Sequence, residues 1–212
     1  MASRSEERLR PLADELGAEM FAVDAANVDA VANVVTNAQK ELGDLDGIVN
    51  CVGSVFLKPA HRTSIEEWDE ILTTNLTTAF AVVRAAGQTL RNSGGSVVLI
   101  STAAARTGLR NHEAIAAAKG GVISLALSAA ATYARSNIRF NVVAPGLVRT
   151  PATTRITENE TNAKASLSMH PLGRFGEPED IAAAIQWLLD PENSWVTGQV
   201  IGVDGGLADL KG

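Results

Sequence analysis

The sequence predicts an α/β fold built on a doubly wound, mostly parallel sheet. Two observations carry that prediction. Short apolar runs alternate with longer segments of helical spacing along the whole chain, which places a parallel sheet between layers of helices. Hydrophobic residues make up 46% of the chain but aromatics only 4%, and an Ala/Val/Leu/Ile bias suits close helix-on-sheet packing. At 212 residues the chain reads as a single domain, 1–212, able to bury one sizeable core.

The elements follow in order. Residues Ser5–Leu16 form a charged amphipathic helix stopped by Gly17. Glu19–Val23 is a short apolar strand ending at Asp24, and Val28–Leu42 has helical spacing closed by Gly43. Gly47–Cys51 is a buried strand. Thr63 or Ser64, followed by Glu66 and Glu67, offers a capping box for a long helix to about Leu90. Asn92–Gly95 is a turn and Ser96–Ile100 a strand. Glu113–Arg135 is a long, nearly all-apolar helix, Ile138–Val143 a strand, and Ala144–Gly146 a turn. The polar segment 152–169 has the character of a lid or of a solvated loop. Pro178–Leu189 is a helix behind its proline, and Gln199–Val203 is a last strand before Asp204-Gly205-Gly206. Parallel crossovers of this kind are right-handed.

Composition narrows the function classes. A formal charge of −6 and the lack of any Lys/Arg-rich run argue against a nucleic-acid surface. The single cysteine, Cys51, allows no intrachain disulfide and fits a reducing cytoplasm. The start M-A-S-R-S-E-E-R has no apolar signal core, and the apolar stretches are broken by Lys, Arg or Gly, so no membrane association is expected. The three histidines and the lone cysteine are too dispersed for a metal site.

Six motifs then appear in a fixed order. N-C-V-G spans 50–53, and T-N-L carries Asn75. The stretch from Thr102 to Lys119 has 12 residues between Thr102 and Ile115, with Lys119 one turn further on. V-A-P-G-L-V-R-T covers 143–150. P-L-G-R-F-G-E-P-E-D at 171–180 and G-Q-V-I-G-V-D-G-G at 198–206 close the series. Together they resemble the short-chain dehydrogenase/reductase family, nearest its oxoacyl-carrier-protein reductase branch, from Ala2 to about Gly206. In that family the third motif is S-(12 residues)-Y-x-x-x-K. Here Thr102 stands at the Ser and Ile115 at the Tyr, and an isoleucine cannot donate a proton.

The resemblance implies an N-terminally truncated Rossmann-like sheet and use of NADP or NAD. It implies that Thr102 holds a substrate carbonyl, that Lys119 bonds the nicotinamide ribose, and that Asn75 holds a relay water. Asn50, Gly53, Pro145, Gly146 and Thr150 fall on its cofactor loops. Asp24 falls where relatives touch adenine, and Arg4 where a basic side chain selects the 2′-phosphate. Each position has a plainer alternative: Thr102 capping a loop, Asn75 exposed, Asp24 capping helix 28–42, Arg4 merely solvated. His112, just before the helix that carries Ile115, is either a substitute acid or an exposed loop histidine. His61 and His170 show no supporting partners.

Against the family pattern, about forty residues at the start have no counterpart, including the T-G-x-x-x-G-x-G turn that cradles the pyrophosphate. Losing two or three charge-assisted hydrogen bonds implies about 5 kcal/mol, or three to four decades of affinity, so weak nucleotide binding is expected. The family sheet order, 3-2-1-4-5-6-7, would leave Glu19–Val23 without its neighbour. That strand is expected to move in beside Gly47–Cys51, to pair with another chain, or to be disordered.

Three functions follow from these readings. The first is an NAD(P)-dependent oxidoreductase acting on a small carbonyl or alcohol, weak or inactive as the chain stands. The second is a cofactor-independent hydrolase using Ser54, Ser101 or Thr102 with His112 or Lys119 as base, although no G-x-S-x-G elbow supports it. The third is a non-catalytic subunit. A homo-oligomer, dimer or tetramer, is expected through helices 65–90 and 113–135 and the last strand.

Overall fold

The computed structural model describes residues 1–210. Its elements, in order, are β1 (Ala2–Ser3), α1 (Glu6–Leu16), β2 (Phe21–Ala22), α2 (Val28–Leu42), β3 (Gly47–Asn50), α3 (Ile65–Leu72), α4 (Thr78–Thr89) and β4 (Gly95–Ile100). They continue with α5 (Glu113–Tyr133), β5 (Ile138–Pro145), α6 (Thr154–Thr157), α7 (Glu160–Leu167), α8 (Pro178–Leu189) and β6 (Val200–Val203). All strand pairs are parallel, as the alternation predicts.

The caps explain the helix bounds. The Ser5 hydroxyl accepts from Arg8 N–H at the start of α1, and Gly17 ends it with φ +61°, a conformation that favours glycine. Ser64 and Glu67 form the expected capping box on α3. The long helix predicted to reach Leu90 is interrupted, however. Residues Thr73–Thr77 adopt a π-helical turn between α3 and α4, with Asn75 at its centre. Such turns add a residue and rotate the side chains that follow. Segment 152–169 folds largely into α6 and α7.

The central sheet has the order β3-β4-β5-β6. The period-two alternation of a strand separates its two faces. Val97 and Leu99 of β4, with Ile138, Phe140 and Val142 of β5, join α2, α4 and α5 in the larger core. Val98 and Val143 point the other way, onto Leu188, Ile181 and Ile185 of α8. The Ser96 hydroxyl donates to Leu188 O and holds α8 down. Buried Asn141 donates to Val196 O and accepts from Gln199 N–H, which docks the edge strand β6. Helix α5, long and apolar enough by composition alone to cross a membrane, packs instead against α4 and β5.

The first strands depart from expectation. β2 neither joins β3 nor goes unpaired. It pairs with Ala2–Ser3 in a separate two-stranded sheet. Phe21 N–H donates to Met1 O and Val23 N–H to Ser3 O, so the strand's backbone is satisfied locally and has no need to move. Asp24 does not cap α2. The N-cap is Asn27, whose side chain accepts from Ala30 N–H, while Asp24 accepts from Ala26 N–H in the turn before it.

Candidate active site

A cavity of about 600 Å³ opens at the C-terminal ends of β3, β4 and β5, where doubly wound sheets bind ligands. It gathers Gly53, Thr102, His112, Lys119, Pro145, Gly146 and Thr150 from the residues singled out in the sequence. Arg4 and Asp24 do not line it. Both are exposed, Arg4 just after β1 and Asp24 just after β2. Asn50 is buried and accepts from Val52 N–H, shaping the turn after β3 without facing the cavity.

Asn75 lies behind the wall and is buried. Its carboxamide donates to Ser54 Oγ at 2.9 Å and to Ile71 O at 3.0 Å, and accepts from Ser54 N–H at 3.0 Å. The π-turn therefore aims Asn75 at the loop after β3, and Ser54, which does line the cavity, is its outlet. Thr102 takes its plainer alternative, a cap, while also facing the cavity. It lines the cavity, and its hydroxyl caps the turn 103–105 by accepting from Ala104 N–H at 3.3 Å.

Lys119 lies one turn beyond Ile115 on the same face of α5, and both are buried. Its ammonium donates to Ile100 O at 2.9 Å. Among the described residues no carboxylate pairs with it. Burial therefore pulls its pKa down to about 8, partly opposed by the nearby Cys51 sulfur. Cys51 is exposed as a residue, but atoms crowded around its thiol desolvate it and push its pKa up, with Lys119 drawing it back. Ile115 packs with Ile71, Ala114 and Ala118 and presents hydrocarbon to the cavity where a phenol would stand.

The remaining nucleophile candidates are occupied. Ser101 Oγ donates to Lys119 O, Ser54 is bound to Asn75, and His112 Nδ1 meets Arg110 O at 2.7 Å. His112 is half-buried at the mouth. Among the described residues no Ser or Thr hydroxyl is hydrogen-bonded to His112 or to the Lys119 amine, so nothing assembled there supports the hydrolase reading. Among the described residues no group of His, Cys, Asp and Glu could hold a metal ion.

His170 overturns its sequence reading. It is buried, its Nε2 accepts from Leu147 N–H at 3.0 Å, and its Nδ1 donates to Ser166 O at 2.8 Å. It ties the loop after β5 to α7, and its ring meets Phe175 edge-on. Nothing local in the sequence signals this, because both partners are backbone atoms and Leu147 is 23 residues away.

The family model described as enoyl-(acyl carrier protein) reductase matches residues 1–208. The chain is 37% identical over 206 residues to inactive 2-(S)-hydroxypropyl-CoM dehydrogenase 2 of Xanthobacter autotrophicus, covering 93% of this chain and 89% of that one. It is 36% identical to the 3-oxoacyl-[acyl-carrier-protein] reductase FabG of Thermotoga maritima, covering 88% of this chain and 76% of the other. A short-chain type dehydrogenase/reductase structure from Mycobacterium ulcerans superposes with a TM-score of 0.93 at 32% identity, covering 100% and 80% of the two chains. A Beutenbergia cavernae structure with NADP bound at low occupancy superposes at 0.90 and 30% identity, covering 99% and 86%.

Proposed function

The chain belongs to the short-chain dehydrogenase/reductase family, and on that premise we propose an NAD(P)-linked oxidoreductase site for a small carbonyl or alcohol that is weak or inactive as this chain stands. One observation carries the reading: Ile115 fills the tyrosine position one turn before Lys119, in a cavity that otherwise retains Thr102, Lys119 and the Asn75–Ser54 pair. Among the described residues no phenol stands beside the position a carbonyl oxygen would take: the buried His170 has both ring nitrogens bonded to backbone atoms, Thr102 is a poor acid, and the Lys119 ammonium is left as the acid nearest the site. His112 could supply a proton only from the mouth of the cavity.

The cavity fits the nicotinamide end of a dinucleotide better than the rest. Lys119 retains two N–H donors beyond its bond to Ile100 O, and Thr150, Pro145 and Gly146 face the same space. The bound group would supply a hydride, and the chain's own residues would orient the carbonyl and hold the ribose. No glycine-rich turn within this sequence offers backbone donors to a pyrophosphate, and Arg4 and Asp24 lie off the cavity. Binding of NADP(H) or NAD(H) to this chain is accordingly expected in the millimolar range. Support for the low activity also comes from a relative whose own name describes it as inactive.

We also infer a homo-oligomer. Phe80 on α4 and Leu127 on α5 are 48% and 47% exposed on helices otherwise built for burial.

The test is Ile115→Tyr, assayed by NADPH-dependent carbonyl reduction in this chain and in one joined to a glycine-rich nucleotide-binding segment. In the joined protein the substitution should raise the rate by about 10²–10⁴-fold, and in this chain by almost nothing. Strong reduction by the unmodified chain, or micromolar nucleotide binding by calorimetry, would overturn the reading. Activity of the joined Ile115 protein that disappears in His112→Ala would transfer the acid role to His112.

A further inference from the structure

The polar groups around the buried end of the cavity are donors with hydrogens to spare. The Lys119 ammonium gives one N–H to Ile100 O and keeps two. The Ser54 oxygen accepts from Asn75 Nδ2 and the Thr102 oxygen from Ala104 N–H, and among the described residues neither hydroxyl hydrogen has an acceptor. Two short segments bring the three groups together. Lys119 Nζ is bonded to the chain two residues before Thr102, and it packs against Gly53, the residue before Ser54, so closely that a β-carbon there would crowd it at 3.1 Å. Asn75 fixes Ser54 at two points, since Ser54 N–H also donates to its Oδ1.

The rest of the cavity is largely hydrocarbon. Val55, Phe56, Leu109, Ile156 and Met169 stand on its walls. Among the described residues no Asp, Glu or Arg lines it, and the titratable groups that share it with Lys119 are Cys51 after β3, His112 ahead of α5 and His170 after α7. The Lys119 charge is thus held without a counterion among apolar side chains, an unfavourable arrangement that an anion entering the cavity would relieve. The volume of about 600 Å³ is that of sites for drug-sized molecules, with room for a tail as well as a head.

We propose that this cavity binds an anionic amphiphile, an alkyl chain ending in a carboxylate, with the carboxylate on Lys119, Ser54 and Thr102 and the chain along the apolar walls. A carboxylate only accepts and has about four lone-pair sites, so it can take both spare ammonium N–H groups and both hydroxyls. A neutral head brings no charge to offset the ammonium, and a cationic head meets it as a like charge with no acid nearby. The tail gains by leaving water for the walls. No covalent bond is made or broken and no nucleotide takes part. The inference therefore goes beyond the oxidoreductase reading and stands or falls apart from it.

The test titrates the whole chain, without nucleotide, with decanoate at pH 7 by calorimetry. One decanoate should bind per chain, at least about tenfold more tightly than decanol or decyltrimethylammonium, which carry the same tail under a neutral and a cationic head. Acetate, the head without the tail, should bind at least about a hundredfold more weakly than decanoate. The free amine loses its proton near pH 8, whereas a bound carboxylate holds that proton on. Decanoate should therefore bind about tenfold more weakly at pH 9 than at pH 7, while decanol binds equally at both. Lys119→Met should abolish the preference for decanoate over decanol. Since the ligands are compared first on the wild-type chain, a failure of that variant to fold leaves the test intact. The proposal would be overturned by the absence of saturable decanoate binding, by equal affinity for decanoate and decanol, by an affinity flat from pH 7 to 9, or by a preference that survives in Lys119→Met.

Discussion

Replacing Lys119 by methionine should change stability in opposite directions at two ends of the pH scale. The folded chain releases the Lys119 proton near pH 8 instead of at the ordinary 10.5. A difference of that size corresponds to about 3 kcal/mol of folding free energy withheld while the amine is charged in both states. Below pH 8 the penalty is complete. Between pH 8 and 10.5 the unfolded chain holds the proton and the folded chain does not, so stability rises with pH; above that range the penalty is gone. Methionine keeps the length of the stem and removes the charge, but it leaves Ile100 O without its donor, a loss of about 1–2 kcal/mol. The variant should therefore be more stable than wild type by about 1–2 kcal/mol at pH 7 and less stable by a similar amount near pH 11. Urea unfolding followed by tryptophan fluorescence suits the measurement, because Trp68 packs on the Ile115 and Ala118 cluster. Comparing the two chains at each pH cancels the titration of the other lysines and of Tyr133. A difference that stays constant from pH 7 to 11, or a methionine variant that is weaker throughout, would refute the account of Lys119 as a charge buried without a counterion.

Three other substitutions probe the frame around the site. Gly87→Ala places a methyl 2.5 Å from the Tyr133 ring, where α4 meets α5, and should destabilise the chain by about 1–3 kcal/mol in urea unfolding. His170→Ala strips Leu147 N–H of its acceptor and α7 of its tie. It should cost about 1–3 kcal/mol and speed protease cleavage within 154–169. The pair Phe80→Ser and Leu127→Ser should shift light scattering toward the monomer, and a wild-type chain already monomeric at micromolar concentration would contradict the proposed assembly.

The elements were legible where a period or a cap reached the sequence. Val28–Leu42, Pro178–Leu189 and the Ser64 box could be read because their signals are local, and the alternation of strands and helices fixed the parallel sheet. The π-turn at Thr73–Thr77 could not be read. An inserted residue leaves no compositional mark, and T-N-L-T-T looks like an exposed polar patch until its fold buries Asn75. The spacing from Thr102 to Lys119 placed those two and Ile115 in one cavity correctly. It could not show the missing counterion at Lys119, which depends on what β3 and β4 bring from elsewhere. His170 was missed for the same reason. For β2, the expectation left Glu19–Val23 without a neighbour, whereas the two residues Ala2–Ser3, with hydrogen bonds from Phe21 and Val23, suffice.

The division of the strands into two sheets also governs how the molecule breathes. β4 and β5 are bonded along both edges. β3 is bonded on one edge only: Asp46 O accepts from Ser96 N–H on the β4 side, so by alternation Gly47 and Val49 direct their N–H and C=O groups outward. Amides there should exchange with solvent through small openings, long before those of β4 and β5, which await global unfolding. β3 leads straight into Cys51 and Gly53. Each such opening displaces the wall against which Lys119 is desolvated and momentarily returns its amine to water. An unpaired sheet edge thus lies a few residues from the wall around a buried charge, and tightening that edge should make the amine harder to protonate.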